Sequence, residues 1–183
     1  RDWSVTGVQT CALRSLQSLS GKLPIPAIVG CPRLEHGSAG VRNSAYLIDG
    51  GSIKKICDKH LLPNYGALND ARIFDPGSDF GLVKIRGKSI GVTICEDIWT
   101  IPTIPTAGRY EYFPRPLEHF ANLKKSDPSA LDILVNISAS VFSAGNDTVR
   151  RKGGLMCEVS RFVGVPLVWC NLVGGNDEIV FAG

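Results

Sequence analysis

Short apolar runs separated by turn residues dominate the first part of the chain. Residues 26–31 (PAIVGC) form an apolar run between prolines, which is typical of a buried strand. Residues 44–49 and 53–58 flank Gly50-Gly51, a dipeptide typical of a two-residue hairpin turn. The pattern therefore predicts a strand followed by a β-hairpin.

The second part of the chain alternates between strand and helix patterns. Residues 82–85 and 89–95 flank Arg86-Gly87-Lys88 and predict another hairpin. The remaining predicted elements are helices over 114–125 and 147–163 and strands over 131–138 and 165–173. An Asn/Asp cap at 146–147 is predicted to open the second helix, which Gly153-Gly154 weakens. Hairpins followed by strand–helix–strand alternation predict a mixed α/β layered domain.

Composition excludes several classes of protein. With 183 residues, of which 44% are hydrophobic and 20% charged, the chain is long enough for one domain with a core. Disordered, collagen-like and coiled-coil structures do not fit these values. No apolar run approaches the ~20 residues of a membrane span. The net charge of +3 is too small and too dispersed for a nucleic-acid surface. We therefore expect neither a membrane nor a nucleic acid as partner.

The six cysteines are irregularly spaced and include no CxxC pair. Zinc-ribbon and thioredoxin-like sites therefore lack their usual ligand pairs, and we expect no metal site. Cys31, Cys157 and Cys170 lie in apolar segments, where we expect reduced, buried thiols. These features predict a reducing, cytoplasmic compartment.

The two ends of the sequence differ from an ordinary domain. Residues 1–13 have no helical or strand period, and they resemble the translation of a sequencing-library adapter. Residues 178–183 read as a strand entering a turn. We therefore expect a fragment in which 1–13 is an artefact and 14–183 is part of one catalytic domain.

The segment 91–99 (GVTICEDIW) carries the most informative chemistry. A β-branched strand delivers Cys95 to its end, immediately before two carboxylates and an indole. A buried structural cysteine is the simpler interpretation, because carboxylates beside a thiol disfavour the thiolate. A nucleophilic Cys95 needs a cation or a base, and Lys59 in the segment 59–65 (KHLLPNY) is a candidate for it.

Four ordered motifs resemble a known family. The segments 59–65 and 91–99 resemble the lysine and cysteine motifs of the nitrilase (carbon–nitrogen hydrolase) superfamily. Residues 134–140 (LVNISAS) and 171–178 (NLVGGNDE) narrow the resemblance to the N-terminal glutaminase domains of glutamine-dependent NAD synthetases. The resemblance covers roughly residues 23–183.

The resemblance implies a nitrilase-like αββα sandwich, truncated at both ends, with a Glu–Lys–Cys triad. Cys95 would attack the side-chain amide of glutamine and form a thioester. Lys59 would stabilise the thiolate and the oxyanion electrostatically. The backbone N–H of Glu96 would be a second oxyanion donor.

The resemblance also implies substrate contacts. Tyr65, Trp99 and Ser140 match positions that line the glutamine pocket of the family. Core packing remains the alternative for Tyr65 and Trp99, and a turn hydroxyl remains the alternative for Ser140.

The sequence departs from the family pattern at three positions. The triad glutamate normally lies upstream, but the only acid before residue 35 is Asp2. Asp70 matches a supporting carboxylate and is shorter by one methylene. Asn146 stands where a basic residue is common. Because the glutamate is missing, we expect the polypeptide as printed to be inactive.

The wider function follows from the same resemblance. Ammonia from glutamine would pass to a C-terminal synthetase domain that amidates nicotinic acid adenine dinucleotide. No Ser-Gly-Gly-x-Asp-Ser phosphate loop occurs in the sequence, so ATP and Mg²⁺ would belong to that other domain. A homo-oligomer is expected for the full-length protein. A stand-alone amidase acting on another small amide and a non-catalytic scaffold remain the alternatives.

Overall fold

The computed structural model describes residues 14–34, 40–64, 69–101, 115–144, 154–176 and 178–183. These residues fall into two compact units on either side of the Asp79–Phe80 junction. The first unit is mainly β-sheet, and the second combines β-strands with α-helices. Among the described residues, no helix is long and apolar enough to cross a membrane.

The first unit is built on antiparallel strands. Its strands are β1 (Ala27–Leu34), β2 (Val41–Asp49) and β3 (Ser52–Asp58), paired in that order. Gly50 and Gly51 both have positive φ values, 53° and 84°, as a type I′ turn requires. The predicted strand and hairpin are therefore confirmed, and residues 14–20 are helical.

The segment after β3 returns to the same unit. A 3-10 helix, Asp70–Arg72, follows residues 59–64. Phe74 then forms a parallel bridge with Val41 at the start of β2. The loop that carries the lysine motif is therefore tied to the sheet at both of its described ends.

The second unit combines parallel and antiparallel pairing. It contains β4 (Gly81–Ile85), β5 (Lys88–Ile94), α1 (Pro116–Ser126), β6 (Ile133–Ser138), α2 (Leu155–Val163), β7 (Leu167–Asn171), β8 (Val173–Asn176) and β9 (Ile179–Ala182). β4 and β5 form the predicted hairpin, and β5, β6 and β7 are parallel neighbours. β8 pairs antiparallel with β9. Parallel strands joined by helical crossovers confirm the expected α/β class.

The core of the second unit lies between its sheet and its helices. Phe120 of α1, Val159 of α2 and Leu134 of β6 are fully buried in one apolar cluster. A Cβ added at Gly91 of β5 would lie 2.9 Å from the Phe120 ring and 3.0 Å from Leu134 Cδ1. Each buried side chain of this size contributes about 1.5–3 kcal/mol, so this cluster fixes the position of β5.

Three details differ from the sequence expectations. The turn after β4 has two residues, Arg86 and Gly87, both with positive φ, so Lys88 already belongs to β5. Gly154 is extended and the described helix α2 begins after it at Leu155, so the predicted helix over 147–163 is not continuous through residue 154. The predicted cap at 146–147 lies outside the described residues. Cys157 is half-buried and Cys170 is exposed, because β7 alternates its side chains between covered and open faces.

Candidate active site

Lys59 is a buried cation in the first unit. It directly follows β3 and is only 3% exposed. Its backbone N–H donates a hydrogen bond to the Asn43 carbonyl, and its own carbonyl accepts one from Gly77, both at 2.7 Å. The main chain that carries this lysine is therefore fixed from both sides.

The structure brings the predicted supporting carboxylate, Asp70, to Lys59. The Lys59 ammonium donates a short hydrogen bond to Asp70 Oδ2. Asp70 opens the 3-10 helix, and its N–H donates to the Pro63 carbonyl at 2.8 Å. A buried ammonium requires such a partner to stay charged. Tyr65 lies outside the described residues.

A buried carboxylate, Asp58, anchors the end of β3. It accepts hydrogen bonds from the Ser44 hydroxyl, from Arg33 at 2.8 Å and from Lys55 at 3.0 Å. Burial alone would raise the pKa of Asp58, but the hydrogen bonds from Ser44, Arg33 and Lys55 outweigh it and lower the pKa. Sequence analysis did not single out Asp58, whose partners come from all three strands.

Substitution Asp58→Asn is expected to destabilise the chain by about 1–3 kcal/mol at neutral pH, because Arg33 and Lys55 lose a buried charged acceptor. A lowered pKa means that Asp58 contributes stability above its unfolded value of about 3.9 and that this contribution is lost as pH falls through the folded pKa. The difference between variant and wild type should therefore shrink in acid. Urea unfolding at pH 7 and at about pH 3 measures it.

Asp79→Asn is the matched control for this prediction. Asp79 also pairs with Lys55, at 2.8 Å, but its side chain is 47% exposed. An exposed ion pair contributes about 0–1 kcal/mol, so this variant should remain close to wild type. Equal losses in the two variants would contradict the assigned role of Asp58.

In the second unit, Cys95 occupies a sharp turn at the end of β5. It opens the 3-10 helix Cys95–Ile98 and has a φ of 47°, in the left-handed region. That conformation costs a residue other than glycine roughly 1–2 kcal/mol, so the surroundings must hold it. Cys95 is half-buried, whereas Cys31 is buried and burial raises the pKa of that thiol. Cys95 is thus the more suitable nucleophile of the two.

The residues after Cys95 bind back to the turn. Asp97 Oδ2 accepts a hydrogen bond from the Ile94 N–H at 3.0 Å. The Trp99 N–H donates to the Glu96 carbonyl at 2.9 Å, and the Trp99 side chain packs against the apolar cluster. Glu96 and Asp97 are both buried. The two carboxylates noted in the sequence therefore belong to the turn itself.

Polar side chains from β6 and β7 lie at the same edge of the sheet, because the three parallel strands end there. Asn136 of β6 donates a hydrogen bond to the Cys95 carbonyl at 3.3 Å. Asn171, the last residue of β7, exchanges two hydrogen bonds with the backbone of Ser140, of 2.7 and 3.2 Å. In α/β sheets this edge is where ligands bind. Sequence analysis named Ser140 but assigned no role to Asn136 or Asn171.

The second unit therefore brings Cys95, Glu96 and Ser140 to one sheet edge, with Trp99 following the same turn. Lys59 and Asp70 meet in the first unit. Within the described part of the chain, no group of three or more His, Cys, Asp or Glu side chains is placed to hold a metal ion. The half-buried thiol at a strained strand end is suited to nucleophilic attack on a small polar substrate.

Comparison with curated proteins identifies relatives over most of this sequence. No protein-family model matches the chain. Glutamine-dependent NAD(+) synthetase from Thermotoga maritima is 36% identical over 141 residues, which are 77% of this chain and 21% of that protein. The synthetase from Synechocystis sp. is 33% identical over 92% of this chain and 30% of its own length. The chain thus spans about a fifth to a third of the curated relatives.

Solved structures show the same fold. A glutamine-dependent NAD+ synthetase from Acinetobacter baumannii in complex with ADP superposes with a TM-score of 0.75 at 23% identity, over 95% of this chain and 29% of that one. A CN-hydrolase superfamily protein from Xanthomonas campestris gives 0.67 at 16% identity, over 92% and 56%. An amidase from Nesterenkonia sp. AN1, with acrylamide added at its active-site cysteine, gives 0.66 at 19% identity, over 95% and 58%. The chain is therefore homologous to part of the glutamine-dependent NAD(+) synthetases and has the fold of the carbon–nitrogen hydrolases.

Proposed function

We propose that this chain belongs to a domain that hydrolyses the side-chain amide of glutamine, with Cys95 as the nucleophile. The polypeptide as printed would react at Cys95 without completing turnover, because the triad glutamate is missing from it. The observation that carries the proposal is the position of Cys95, strained and half-buried where a parallel strand ends. The names of the homologues supply the substrate, and the acrylamide adduct of the Nesterenkonia amidase supports a reactive cysteine in this fold.

The proposed reaction passes through a thioester. The Cys95 thiolate attacks the amide carbon of glutamine, and the carbonyl oxygen becomes an oxyanion that accepts a hydrogen bond from the Glu96 N–H. The tetrahedral intermediate collapses as the C–N bond breaks, and the nitrogen leaves as ammonia after taking up, through water, the proton that the Cys95 thiol had lost. Water then attacks the thioester, which releases glutamate and returns the thiol.

The cation for this reaction is assigned to Lys59, which stabilises the thiolate and the oxyanion. Its ion pair with Asp70 supports this role because it keeps a buried ammonium charged and fixed in direction. Tyr65, Trp99 and Ser140 are assigned to substrate binding. Of these, Ser140 has the clearest structural support, since Asn171 holds its main chain in place.

The ammonia is assigned to a synthetase activity on the same protein or in its complex. This assignment rests on the homologues, which are glutamine-dependent NAD(+) synthetases and longer than the chain. ATP and Mg²⁺ would act in the synthetase reaction and not at Cys95. No disulfide links the five described cysteines, which supports a reducing, cytoplasmic compartment. A homo-oligomer is proposed for the full-length enzyme.

Protection of Cys95 from alkylation tests this function and separates it from the alternatives. The rate at which iodoacetamide modifies Cys95 is measured by peptide mass spectrometry, with the exposed Cys170 as an internal control. Glutamine at ten times its dissociation constant should slow the Cys95 reaction about tenfold and leave Cys170 unchanged.

The comparison ligands are asparagine and butyramide. Protection by butyramide but not by glutamine would favour a stand-alone amidase over the glutaminase. Protection by none of the three would contradict both enzymes and favour a non-catalytic scaffold.

A further inference from the structure

A buried amide from the neighbouring strand contacts the main chain of Cys95. Asn136 lies on β6, is completely buried and pairs in register with Thr93 of β5. We propose that Asn136 is a positioning residue, which holds the turn that directs the Cys95 thiol. This inference rests on the proposed nucleophilic role of Cys95.

The hydrogen bonds of Asn136 fix its amide in one orientation. Its Nδ2 donates to the Thr93 hydroxyl at 3.0 Å and to the Cys95 carbonyl at 3.3 Å, while its Oδ1 accepts from the Ser138 hydroxyl at 2.8 Å. The Thr93 hydroxyl in turn donates to the Val135 carbonyl at 3.2 Å. A flipped amide would place Oδ1 against the Cys95 carbonyl, so only the observed orientation satisfies these groups.

These contacts explain how a cysteine keeps a left-handed backbone. The Asp97 carboxylate binds the Ile94 N–H just before Cys95, and the Asn136 amide binds the carbonyl of Cys95 itself. The turn is therefore held on both sides of the Cys95 Cα atom, which sets the direction of its side chain. Without the Asn136 bond, Cys95 can relax toward the negative φ values that L-residues prefer.

Mere loss of stability has to be separated from loss of position. Asn136→Asp keeps the shape and the acceptor for Ser138, but replaces the Cys95 donor by an oxygen. Asn136→Ala removes the side chain. Thr93→Val is the matched control, since it breaks the same buried network and leaves the Asn136–Cys95 bond in place. Ser138→Ala is a milder variant, because it removes only the hydrogen bond that Asn136 Oδ1 accepts.

The first measurement compares two reagents at Cys95, a chloroketone analogue of glutamine and iodoacetamide. The chloroketone rate divided by the iodoacetamide rate should fall at least about tenfold in both Asn136 variants. Attack on a bound substrate analogue depends on the direction of the thiol, whereas attack on a small free reagent depends on it much less. The ratio should stay within about threefold in Thr93→Val, even where the melting temperature falls, and Ser138→Ala should give a smaller loss than Asn136→Asp. Ratios that fall equally in Thr93→Val and the Asn136 variants would overturn the inference.

Crystal structures of Asn136→Ala and Thr93→Val provide a second readout that is independent of substrate. The Cys95 φ should become negative in the first variant and stay positive in the second. A wild-type chain without preference for the glutamine analogue would contradict the proposed function alone, and these φ values would still decide the role of Asn136. A positive φ retained in Asn136→Ala would overturn that role.

Discussion

Substitution Cys95→Ser is expected to slow modification of position 95 by a chloroketone analogue of glutamine more than about 1000-fold. A serine hydroxyl is a much weaker acid and a much weaker nucleophile than a thiol, so it supplies almost none of the anion that attacks. Serine is close to cysteine in size and keeps its place in the turn, so the lower labelling rate reports the loss of the thiol nucleophile. The rate is measured by quenching the labelling reaction at timed intervals and determining the intact mass of the protein by mass spectrometry.

Cys157→Ser is the matched control for this variant. Cys157 is also half-buried and outside any disulfide, but it lies on α2 and has no assigned role. Its replacement should leave the chloroketone rate at Cys95 unchanged. The nucleophilic role of Cys95 would be contradicted if Cys157→Ser lowered the chloroketone rate at Cys95. It would also be contradicted if Cys95→Ser were labelled to the same total extent as wild type.

Substitution Lys59→Met is expected to lower the chloroketone rate at Cys95 about 100-fold, because the proposed reaction loses the cation that stabilises thiolate and oxyanion. Methionine fills most of the same volume, so the buried stem of the side chain is retained. The partner Asp70 is partly exposed, so water can solvate its carboxylate once the ammonium is gone.

Lys54→Met controls for the loss of a positive charge in the same unit. Lys54 lies on β3, five residues before Lys59, and is exposed. In the Lys54→Met variant, the chloroketone should label Cys95 at the wild-type rate. If the two lysine variants lost the same activity, or if Lys59→Met lost none while remaining folded, Lys59 would have no catalytic role.

The hairpins were predictable from sequence because local rules determine them. Gly50-Gly51 supplies two residues that adopt positive φ at little cost, and the apolar runs on either side alternate as strands do. The turn of the second hairpin was predicted to have three residues but has two. Arg86 adopts a positive φ beside Gly87, and an arginine in the sequence does not indicate that conformation. The β-branched run before Cys95 also placed this residue correctly at a strand end.

The supporting residues could not be predicted, because their partners are distant in sequence. Asn136 contacts a carbonyl 41 positions earlier, and Asp58 binds an arginine 25 positions earlier. A signal existed for Asn136, since an amide inside the apolar run 131–138 must find buried partners. Its particular partner depends on the parallel register of β5 and β6, which the sequence does not specify.

The start of α2 shows the opposite kind of error. The apolar period and a favourable Asn/Asp cap predicted a longer helix, but Gly154 is extended and the helix begins after it. Glycine costs a helix interior about 1 kcal/mol relative to alanine, and two adjacent glycines double that cost.

The role of Cys95 as the nucleophile is tested by the site and stoichiometry of labelling with the glutamine chloroketone. The folded chain is treated with the reagent, its intact mass is measured, and the modified peptide is mapped. We expect one adduct per chain, located on Cys95 and prevented by excess glutamine. An unmodified Cys95, or labelling spread equally over Cys95, Cys157 and Cys170, would contradict that role.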